Sequence, residues 1–527
     1  MNSDIKIPVD YDAFLPPDAG GWYSDTVFGS VVWRVSGAKT TPDAADGGHL
    51  SWITDEYSTC CPFNSDNSRL ILVHESYFGL YDGAGKYLKA LPLEVNSSSE
   101  PRWSRQDNRT LYFHAGNRLA TCDVESGVLT VVHTFTEYSS ITGMGESDIS
   151  LDGDHLVFCG TRGDGGQEVF LYTISKGSKS PASQVSGHPL DAIYVTPQNN
   201  VLLAWVTSGV TRYAGQELFD SNMKFLRQVS RSDGHKHLTV DADGSEVLIW
   251  CNSNDPQPIC DNGIVKIRLS DGKQTCLTTL DWSLAVHVTA PDNAGFCFIE
   301  TYDPTNPEPN TPGWKPYTSE LLQIKLDGTV TRLAHHRSRP NSSYNYQPRV
   351  SCSRDGSRFV FNSNMDLQAI SGEHVDYSDV YMVVTGQAPP PISPAPPAPV
   401  KWTRYEQDNA AIKYAGDWYP NRGAFNSGGS AVLGMDKGCT ATFTFTGTGV
   451  CWIGFRDQWS GIAGVSLDGA APTAVDTYSA KDLAQTVIWS ATGLANVPHV
   501  LAVAVTGEKR PNSGAAWIWV DAFDVQN

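Results

Sequence analysis

The sequence of 527 residues predicts an all-β protein, in which a seven-bladed β-propeller is followed by a jelly-roll β-sandwich. Three observations predict this fold. A strand–turn–strand unit recurs about every 45 residues, a proline-rich stretch interrupts the chain after it, and short runs of alternating apolar and polar residues fill the C-terminal part. The composition agrees, because 47 Gly and 31 Pro are typical of a chain with many turns.

The repeating unit is a turn around Asp or Asn, preceded by a short strand and followed by an apolar strand. Six copies carry an Asp at the turn, namely Asp66, Asp107, Asp152, Asp243, Asp292 and Asp355. A further copy, Tyr194–Leu203, has Asn-Asn in its place. Seven copies indicate seven blades, and the N-terminal residues Ser30–Val35 are predicted to complete the last sheet.

Residues 387–401 are predicted to be a linker. They contain seven prolines among fifteen residues, and proline has no backbone N–H to donate to a sheet, so the stretch is expected to be an extended spacer. The predicted domains are therefore the propeller, residues 1–386, and the sandwich, residues 402–527.

Charge and hydropathy exclude some partners. The chain carries 38 basic and 57 acidic residues, a net charge of −19, which disfavours nucleic acid. No apolar run approaches the roughly 20 residues of a membrane span. We also expect the protein to be a monomer. The N-terminus has no signal-peptide pattern, so the protein is either cytoplasmic or has lost its signal. Cys251 and Cys260 flank one loop and are candidates for a disulfide that clips a hairpin.

The candidate site lies where the inner strands of the blades begin, because these ends meet at one mouth of the central channel. Counted back from the turn residue, His237 and Arg349 occupy the same position of their blades, and His235 and Gln347 stand two residues earlier. His287 occupies a similar position in the sixth copy. Ionisable side chains from three blades predict a functional funnel. The alternative is a wet channel in which these groups bind only water and backbone.

The turn units resemble the repeats of TolB-like propellers, as in Ser150-Leu-Asp-Gly-Asp-His-Leu-Val-Phe158, and over about residues 25–385 the chain resembles oligogalacturonate lyases. This resemblance implies a divalent metal ion, manganese or calcium, held by histidines and a glutamine; the matching residues are His235, His237, His287 and Gln347. Arg349 stands where the family has a histidine, and a guanidinium has no lone pair for a metal. We therefore expect an arginine to neutralise charge there instead.

The resemblance also implies β-elimination at a uronic acid, and a secreted or periplasmic enzyme acting on an acidic polysaccharide or oligosaccharide. Elimination needs a cation on the carboxylate, a base for the C5 proton and an acid for the leaving oxygen. The predicted base is His237 or His287, the predicted acid is Tyr346 or Tyr344, and the carboxylate partners are Arg349, Arg231, Arg162 and Arg212. His335-His336-Arg337 is predicted to be a solvated basic patch.

Two alternatives stay open. A glycoside hydrolase would need a pair of carboxyl groups, and the candidates are Glu75, Glu146, Asp148 and Glu300. A protein that only binds glycans, with no catalysis, is the other alternative.

The C-terminal part resembles the galactose-binding-like modules of carbohydrate-active enzymes, through Tyr405-Glu-Gln-Asp-Asn409 and Trp519-Val-Asp-Ala-Phe-Asp524. Trp418 and Trp459 are predicted to stack on sugar rings. Core packing is the alternative for each of them, and a calcium ion at an edge of the sandwich is a further possibility.

Overall fold

A computed structural model describes residues 4–8, 10–95, 99–373, 376–386 and 402–526. The chain divides into two compact units, Met1–Ile392 and Ser393–Asn527. The predicted linker, residues 387–401, lies outside the described residues. No helix in the described ranges is long and apolar enough to cross a membrane.

The described residues of the first unit form seven antiparallel sheets that follow one another along the chain, so this unit is a seven-bladed β-propeller. Blade 1 consists of the strands Arg69–His74, Tyr77–Asp82 and Tyr87–Glu94, and blade 2 of Arg102–Trp103, Thr110–Ala115, Arg118–Asp123 and Leu129–Thr134. Blade 3 consists of Ser140–Thr142, His155–Thr161, Gln167–Thr173, Ser178–Lys179 and Ser183–Gln184. Blade 4 consists of Leu190–Val195, Val201–Trp205, Gln216–Phe219 and Phe225–Ser230. Blade 5 consists of Lys236–Val240, Glu246–Cys251, Gly263–Arg268 and Gln274–Thr279. Blade 6 consists of Ala285–Thr289, Phe296–Tyr302, Glu320–Lys325 and Val330–His335. Blade 7 consists of Val350–Cys352, Arg358–Ser363 and Asp379–Val384, together with the N-terminal strands Val31–Arg34 and Trp22–Ser24.

The N-terminal strands close the ring. Val31–Arg34 pairs with Asp379–Val384 of blade 7, as predicted, and Trp22–Ser24 adds a fifth strand outside it. The sheet of blade 7 therefore joins strands from the two ends of the propeller sequence, and the N-terminal strands cover an edge of that blade that would otherwise be open. A single apolar cluster also contains Leu70 of blade 1 and Phe359 of blade 7.

The core lies between neighbouring blades rather than at one centre. Ile249 of blade 5 packs with Val286 of blade 6 in one buried cluster, and Leu202 of blade 4 packs with Leu248 of blade 5 in the next. The inner strands of the blades are therefore buried on both faces, which is why they are rich in Val, Ile, Leu and Phe, whereas an outer strand such as Leu129–Thr134 is largely exposed.

The repeated Asp forms the turn that separates the two inner strands. The Oδ1 atom of Asp66 accepts the backbone N–H of Ser68, and Asp243 accepts that of Ser245 in the same way. These are Asx turns, in which the side chain replaces a backbone acceptor. The hydrogen bonds lower the pKa of Asp66 to about 2.

The C-terminal unit is a sandwich of two sheets. The larger sheet contains Trp402–Glu406, Ala522–Gln526, Thr440–Arg456, Leu483–Glu508, Ile462–Leu467, Thr473–Asp476 and Ile412–Ala415; the smaller contains Trp418–Arg422, Ser430–Gly434 and Ile518–Val520. Their inner faces enclose a core that includes Phe443, Trp452, Ile518 and Val520. The few helical turns of the described chain are Leu367–Ser371 and the 3₁₀ turns Ala38–Thr40, Tyr344–Tyr346 and Ser427–Gly429.

Two expectations about individual residues are wrong. The disulfide joins Cys260 to Cys276, whereas Cys251 is a free, buried thiol; the partner is the neighbouring strand rather than the start of the loop. His335-His336-Arg337 is not a solvated patch, because all three side chains are buried.

Candidate functional site

The inner ends of the blades border two cavities. The channel cavity has a volume of about 70 Å³ and is lined by residues of all seven blades, Thr59 and His237 among them. The mouth cavity has a volume of about 660 Å³ and is lined by residues of blades 1, 2, 3 and 7. Glu146 lines both cavities. Only the mouth cavity has the size of a small-ligand site.

Ion pairs that join distant blades cross the channel cavity. The Arg105 guanidinium binds Asp292 at 2.5 and 3.0 Å, which connects blade 2 to blade 6. The Arg354 guanidinium lies 3.0 Å from Asp148, which connects blade 7 to blade 3. His237 lines this cavity, and its Nδ1 atom is buried with no partner among the described residues. His237 therefore belongs to the ion-paired channel.

His235 and His287 form a stacked pair of imidazoles. Their ring centroids are 4.3 Å apart and their planes differ by 27°. His235 directly precedes the inner strand of blade 5, and His287 is in the middle of the inner strand of blade 6. His237 lies within the inner strand of blade 5, two residues after His235 and about 6.6 Å deeper at about 3.3 Å per residue. At this spacing, His237 is not part of the stacked pair that His235 forms with His287.

The Nδ1 atom of each imidazole is engaged. Nδ1 of His235 bonds the carbonyl oxygen of Val286, and because a carbonyl only accepts, this nitrogen carries the proton. Nδ1 of His287 lies 2.5 Å from Oε1 of Glu300. Both carboxylate oxygens of Glu300 also accept backbone N–H groups, from His287 at 2.8 Å and Val350 at 3.2 Å. Burial raises the pKa of Glu300 well above its usual range, although the backbone N–H groups of His287 and Val350 act in the opposite direction. Because both oxygens of Glu300 already accept these N–H groups, we assign the proton between Glu300 and His287 to Nδ1 of His287, which leaves a lone pair on Nε2 of both rings.

Burial keeps both imidazoles neutral. Burial lowers the pKa of His287 to about 3, and the nearby Arg349 charge acts in the same direction. Burial also lowers the pKa of His235 to about 3, with a further contribution from the neighbouring His287. At neutral pH both rings are unprotonated at Nε2 and can accept a proton.

Arg349 lies beside this pair and is held in place. Its Nε donates to Oδ1 of Asp55 at 3.3 Å, its Nη2 to the backbone oxygen of Asp55 at 3.2 Å and its Nη1 to the backbone oxygen of Tyr344 at 3.0 Å. The Tyr344 ring covers the guanidinium at 3.8 Å. The side chain is 1 % exposed, so this arginine presents a fixed charge at the edge of the mouth cavity.

Phenol groups surround the imidazoles. The ring of Tyr57 meets His287 edge-on at 5.9 Å, and the ring of Tyr302 stacks on it at 6.0 Å. Burial and the nearby Glu146 hold the pKa of Tyr57 well above its usual range, and burial raises that of Tyr302 to about 12. Both phenols keep their protons at neutral pH and can donate them.

Carboxyl groups also line the mouth cavity. Glu56 is held by Arg102 at 2.9 Å to each oxygen, and burial nevertheless raises its pKa to about 7. Burial also raises the pKa of Glu146, which accepts the hydroxyl of Tyr194. Each group can hold a proton at mildly acidic pH.

Several predicted residues are not among those that line the mouth cavity. Tyr346 is buried, with its hydroxyl 3.2 Å from Ser342, and Gln347 is located by its backbone oxygen, which accepts an Asn362 N–H at 3.5 Å. The three further arginines each bond a side chain close to them: Arg162 bonds Glu168 at 2.7 Å, Arg212 bonds Glu217 at 2.9 Å and Arg231 bonds Gln257 at 2.7 Å.

Sequence reasoning missed the residues that blade 1 supplies, Asp55, Glu56 and Tyr57. The innermost part of this blade forms only isolated bridges, Thr54 with Val73 and Phe63 with Leu70. Counting back from Asp66 therefore arrives at Cys60, beyond the mouth. The available signal was the triplet Asp-Glu-Tyr itself, directly after the apolar Trp52-Ile-Thr54.

The residues present do not fit the divalent metal that the resemblance implies. His237 lies deeper in the channel than His235 and His287, and the described residues contain no group of three His, Cys, Asp or Glu placed to hold a metal. The Arg349 charge acts directly on His287, where it would repel a cation.

No family model matches the chain. Two curated proteins of Flavonifractor plautii are similar to part of it: an A type blood α-D-galactosamine galactosaminidase, 31 % identical over 116 residues, and an A type blood N-acetyl-α-D-galactosamine deacetylase, 30 % identical over 110 residues. Each match covers 21 % of this chain, but only 11 % and 14 % of these relatives.

Among solved structures, the chain is similar to an oligogalacturonate lyase in complex with manganese (TM-score 0.49, 15 % identity, 69 % of this chain and 95 % of that one). An oligogalacturonate lyase from Vibrio parahaemolyticus gives a TM-score of 0.48 at 12 % identity, over 70 % of this chain and 97 % of that one. A two-domain esterase active on acetylated mannans covers 26 % of this chain and 40 % of its own length (TM-score 0.21, 17 % identity).

Proposed function

We propose that the propeller cleaves a uronate-containing glycan by β-elimination at its mouth. The observation that carries this proposal is the stacked pair His235 and His287, which are both neutral, are both held through Nδ1 and lie beside the Arg349 charge and the Tyr57 phenol. Elimination needs a base, a fixed cation and an acid, and these groups supply all three.

His287 is the base. Its Nε2 lone pair takes the C5 proton of the uronate, and Glu300, which contacts Nδ1, holds the ring in the required tautomer. The arrangement follows the general logic of an acid-supported histidine. His235, stacked on the same ring, occupies one face of the imidazole and limits its rotation.

Arg349 makes the C5 proton acidic enough to remove. Its hydrogen bonds to Asp55 and Tyr344 use three of its five N–H groups, which leaves two for the substrate carboxylate. A guanidinium paired to that carboxylate stabilises the enolate-like charge that develops when the proton leaves.

Tyr57 completes the reaction. The C5–H electron pair forms the double bond between C4 and C5, the C4–O bond breaks, and the leaving oxygen takes the phenolic proton of Tyr57. The imidazolium of His287, against which the Tyr57 ring packs, then returns its proton to the phenolate. Both residues are back in their starting state.

The lining of the mouth cavity favours a glycan with isolated uronates. Its carboxyl groups are Asp55, Glu56, Glu100 and Glu146, whereas Arg349 is the cation among its described lining residues. Trp52 and Phe78 supply an apolar wall on which uncharged sugar rings can pack. One carboxylate next to Arg349 with neutral sugars on either side matches this charge pattern better than a continuous polyuronate.

The test is incubation of the full chain with a panel of uronate-containing polysaccharides, followed by ultraviolet absorbance of the unsaturated uronate. We expect absorbance to rise with wild type and not with Tyr57→Phe. If reducing ends appear without absorbance, the reaction is hydrolysis. Absence of both products across the panel would contradict catalysis.

Hydrolysis is the second candidate, since Glu56 and Glu146 both line the mouth cavity and both have raised pKa values. One protonated and one ionised carboxyl are the requirement for glycoside hydrolysis. Glu146→Gln would then abolish release of reducing ends, whereas Tyr57→Phe would leave it nearly unchanged.

A further inference from the structure

The outermost strand of blade 2, Leu129–Thr134, exposes apolar side chains at neighbouring positions. Val128, Leu129, Val131 and Val132 are 58, 47, 54 and 38 % exposed. Proteins in water rarely leave contiguous apolar surface uncovered unless a ligand or partner binds it. This strand is therefore a candidate interaction surface.

One edge of this strand pairs with no other strand among the described residues. Leu129–Thr134 ends the four-stranded sheet of blade 2 and pairs on one side only, with Arg118–Asp123. The free edge therefore presents backbone N–H and C=O groups that can pair with a further β-strand. The partner that fits this surface is an extended segment with apolar side chains.

The outermost strands of the other six blades have features that protect an edge from pairing. Charged side chains, prolines and short strands are the usual ones. They are Lys89 and Pro92 in blade 1, Ser178–Lys179 and Ser183–Gln184 in blade 3, Arg227 in blade 4, Arg332 in blade 6 and Trp22–Ser24 in blade 7. Gln274–Thr279 of blade 5 exposes no large apolar side chain. In blade 2, by contrast, no Lys, Arg, Asp, Glu or Pro lies between Gly127 and Thr134.

An irregularity in strand pairing does not explain this difference. The pairing of Leu129–Thr134 shifts register between Leu119 and Ala120, and a bulge of this kind can also protect an edge. The outermost strands of blades 1, 4, 5 and 6 have register shifts as well, in addition to their other features. What distinguishes blade 2 is therefore the uncharged, apolar composition of its edge.

We propose that two copies of this chain pair through this edge, with their blade 2 strands antiparallel about a twofold axis at Val131. A twofold axis makes one surface its own partner, so the free backbone groups of each copy meet those of the other. Val131 is the middle residue of Val128–Thr134, and it then lies opposite Val131 of the second copy. Thr130 lies opposite Val132 in the same register.

The charge of the chain favours a second copy at this place. The net charge is −19, so two copies repel each other over most of their surfaces and approach most easily where the surface is uncharged. Like charges directly opposite each other destabilise a strand pair, and Val128–Thr134 contains no acidic or basic residue that would meet its own copy. This dimer differs from the monomer expected from the sequence.

The experiment is sedimentation velocity of the full chain over a range of protein concentrations. The variant is Val131→Lys, which places two lysines opposite each other in the proposed dimer. The matched control is Leu226→Lys, because Leu226 is 46 % exposed on the outermost strand of blade 4. Thermal unfolding checks that each variant is folded, and amide hydrogen exchange of the wild type at low and high concentration tests residues 129–134 without any substitution.

We expect wild type and Leu226→Lys to approach twice the chain mass of 57.3 kDa as the concentration rises. The dissociation constant of Val131→Lys should be at least about tenfold larger, because two like charges then meet at the interface. In the wild type, amides on the free edge of residues 129–134 should exchange more slowly at high concentration.

Three results overturn the proposal: a monomer at every concentration, a Val131→Lys dimer as tight as that of the wild type, or exchange at residues 129–134 that does not depend on concentration. A mass that rises without limit overturns it as well, because a twofold interface closes at two copies. None of these measurements uses cleavage of a glycan, so the proposal stands or falls independently of the reaction at the mouth.

Discussion

Replacing Tyr57 by phenylalanine tests the proposed acid with the smallest change that the site allows. The substitution removes one hydroxyl and keeps the ring that packs edge-on against His287. A positioned general acid contributes about 100- to 10,000-fold to a rate, which is about 2.7 to 5.4 kcal/mol of activation free energy at about 1.36 kcal/mol per decade. We expect kcat to fall within that range while KM changes little, because the phenolic proton is transferred only in the transition state.

The assay compares two substrates, a natural uronate glycoside and a uronoside with fluoride at C4. Fluoride leaves without a proton, so Tyr57→Phe should cleave the fluoride almost as fast as wild type while it cleaves the glycoside slowly. Tyr302→Phe is the matched control, since its ring also stacks on His287 and its hydroxyl has no assigned role. Equal losses on both substrates would mean that Tyr57 is structural, and the assignment of the acid would be refuted.

Three other outcomes follow from the same contacts. Because burial and Arg349 lower the pKa of His287 to about 3, its base form persists as the pH falls, and the acid limb of kcat/KM should lie well below the ordinary histidine value of about 6.5; a limb at that ordinary value would contradict His287 as the base. Asp55→Asn should lower the free energy of unfolding by about 3–5 kcal/mol in urea titrations, because it leaves the buried Arg349 charge without its partner; Asp66→Asn, at an exposed turn, is the control. Cys276→Ser should cost about 3 kcal/mol, the chain-entropy value for a loop of about the observed separation of 16 residues, and adding reductant should then destabilise wild type but not the variant.

The repeat predicted the fold because each turn residue performs a local task. Asp66 and Asp243 bond a backbone N–H two residues later, so their spacing in the sequence reports the spacing of blades. The N-terminal closure was predictable for a similar reason. The apolar strand before the first repeat pairs with the edge of the last blade, which would otherwise be unpaired.

The candidate site was predictable only in part. Position within a blade brought His235, His287 and Arg349 to neighbouring places, because the inner strands of blades 5, 6 and 7 are regular. It did not separate His235 from His237, since two residues on one strand share a face but differ in depth. Counting back from the turn residue failed in blade 1, because the innermost segment of this blade pairs only at Thr54 and Phe63.

Partners of charged groups could not be predicted from the sequence. Arg337 bonds Asp10 at 2.9 Å and Arg349 bonds Asp55, across more than 290 residues in each case. His335 is buried against Asp25. A run of basic residues is solvated unless distant carboxylates reach it, and only the closed ring brings those carboxylates near.

The ion pairs of the channel also set the direction of access. Arg105 with Asp292 and Arg354 with Asp148 join blades on opposite sides of the ring, and separating either pair would expose buried charges at a cost of several kcal/mol. The space that they leave is about 70 Å³, against about 660 Å³ at the mouth. Under the proposed function, a glycan would therefore enter through the mouth cavity, which Tyr57 and Arg349 line, rather than through the channel cavity, and both cleavage products would leave by the same opening.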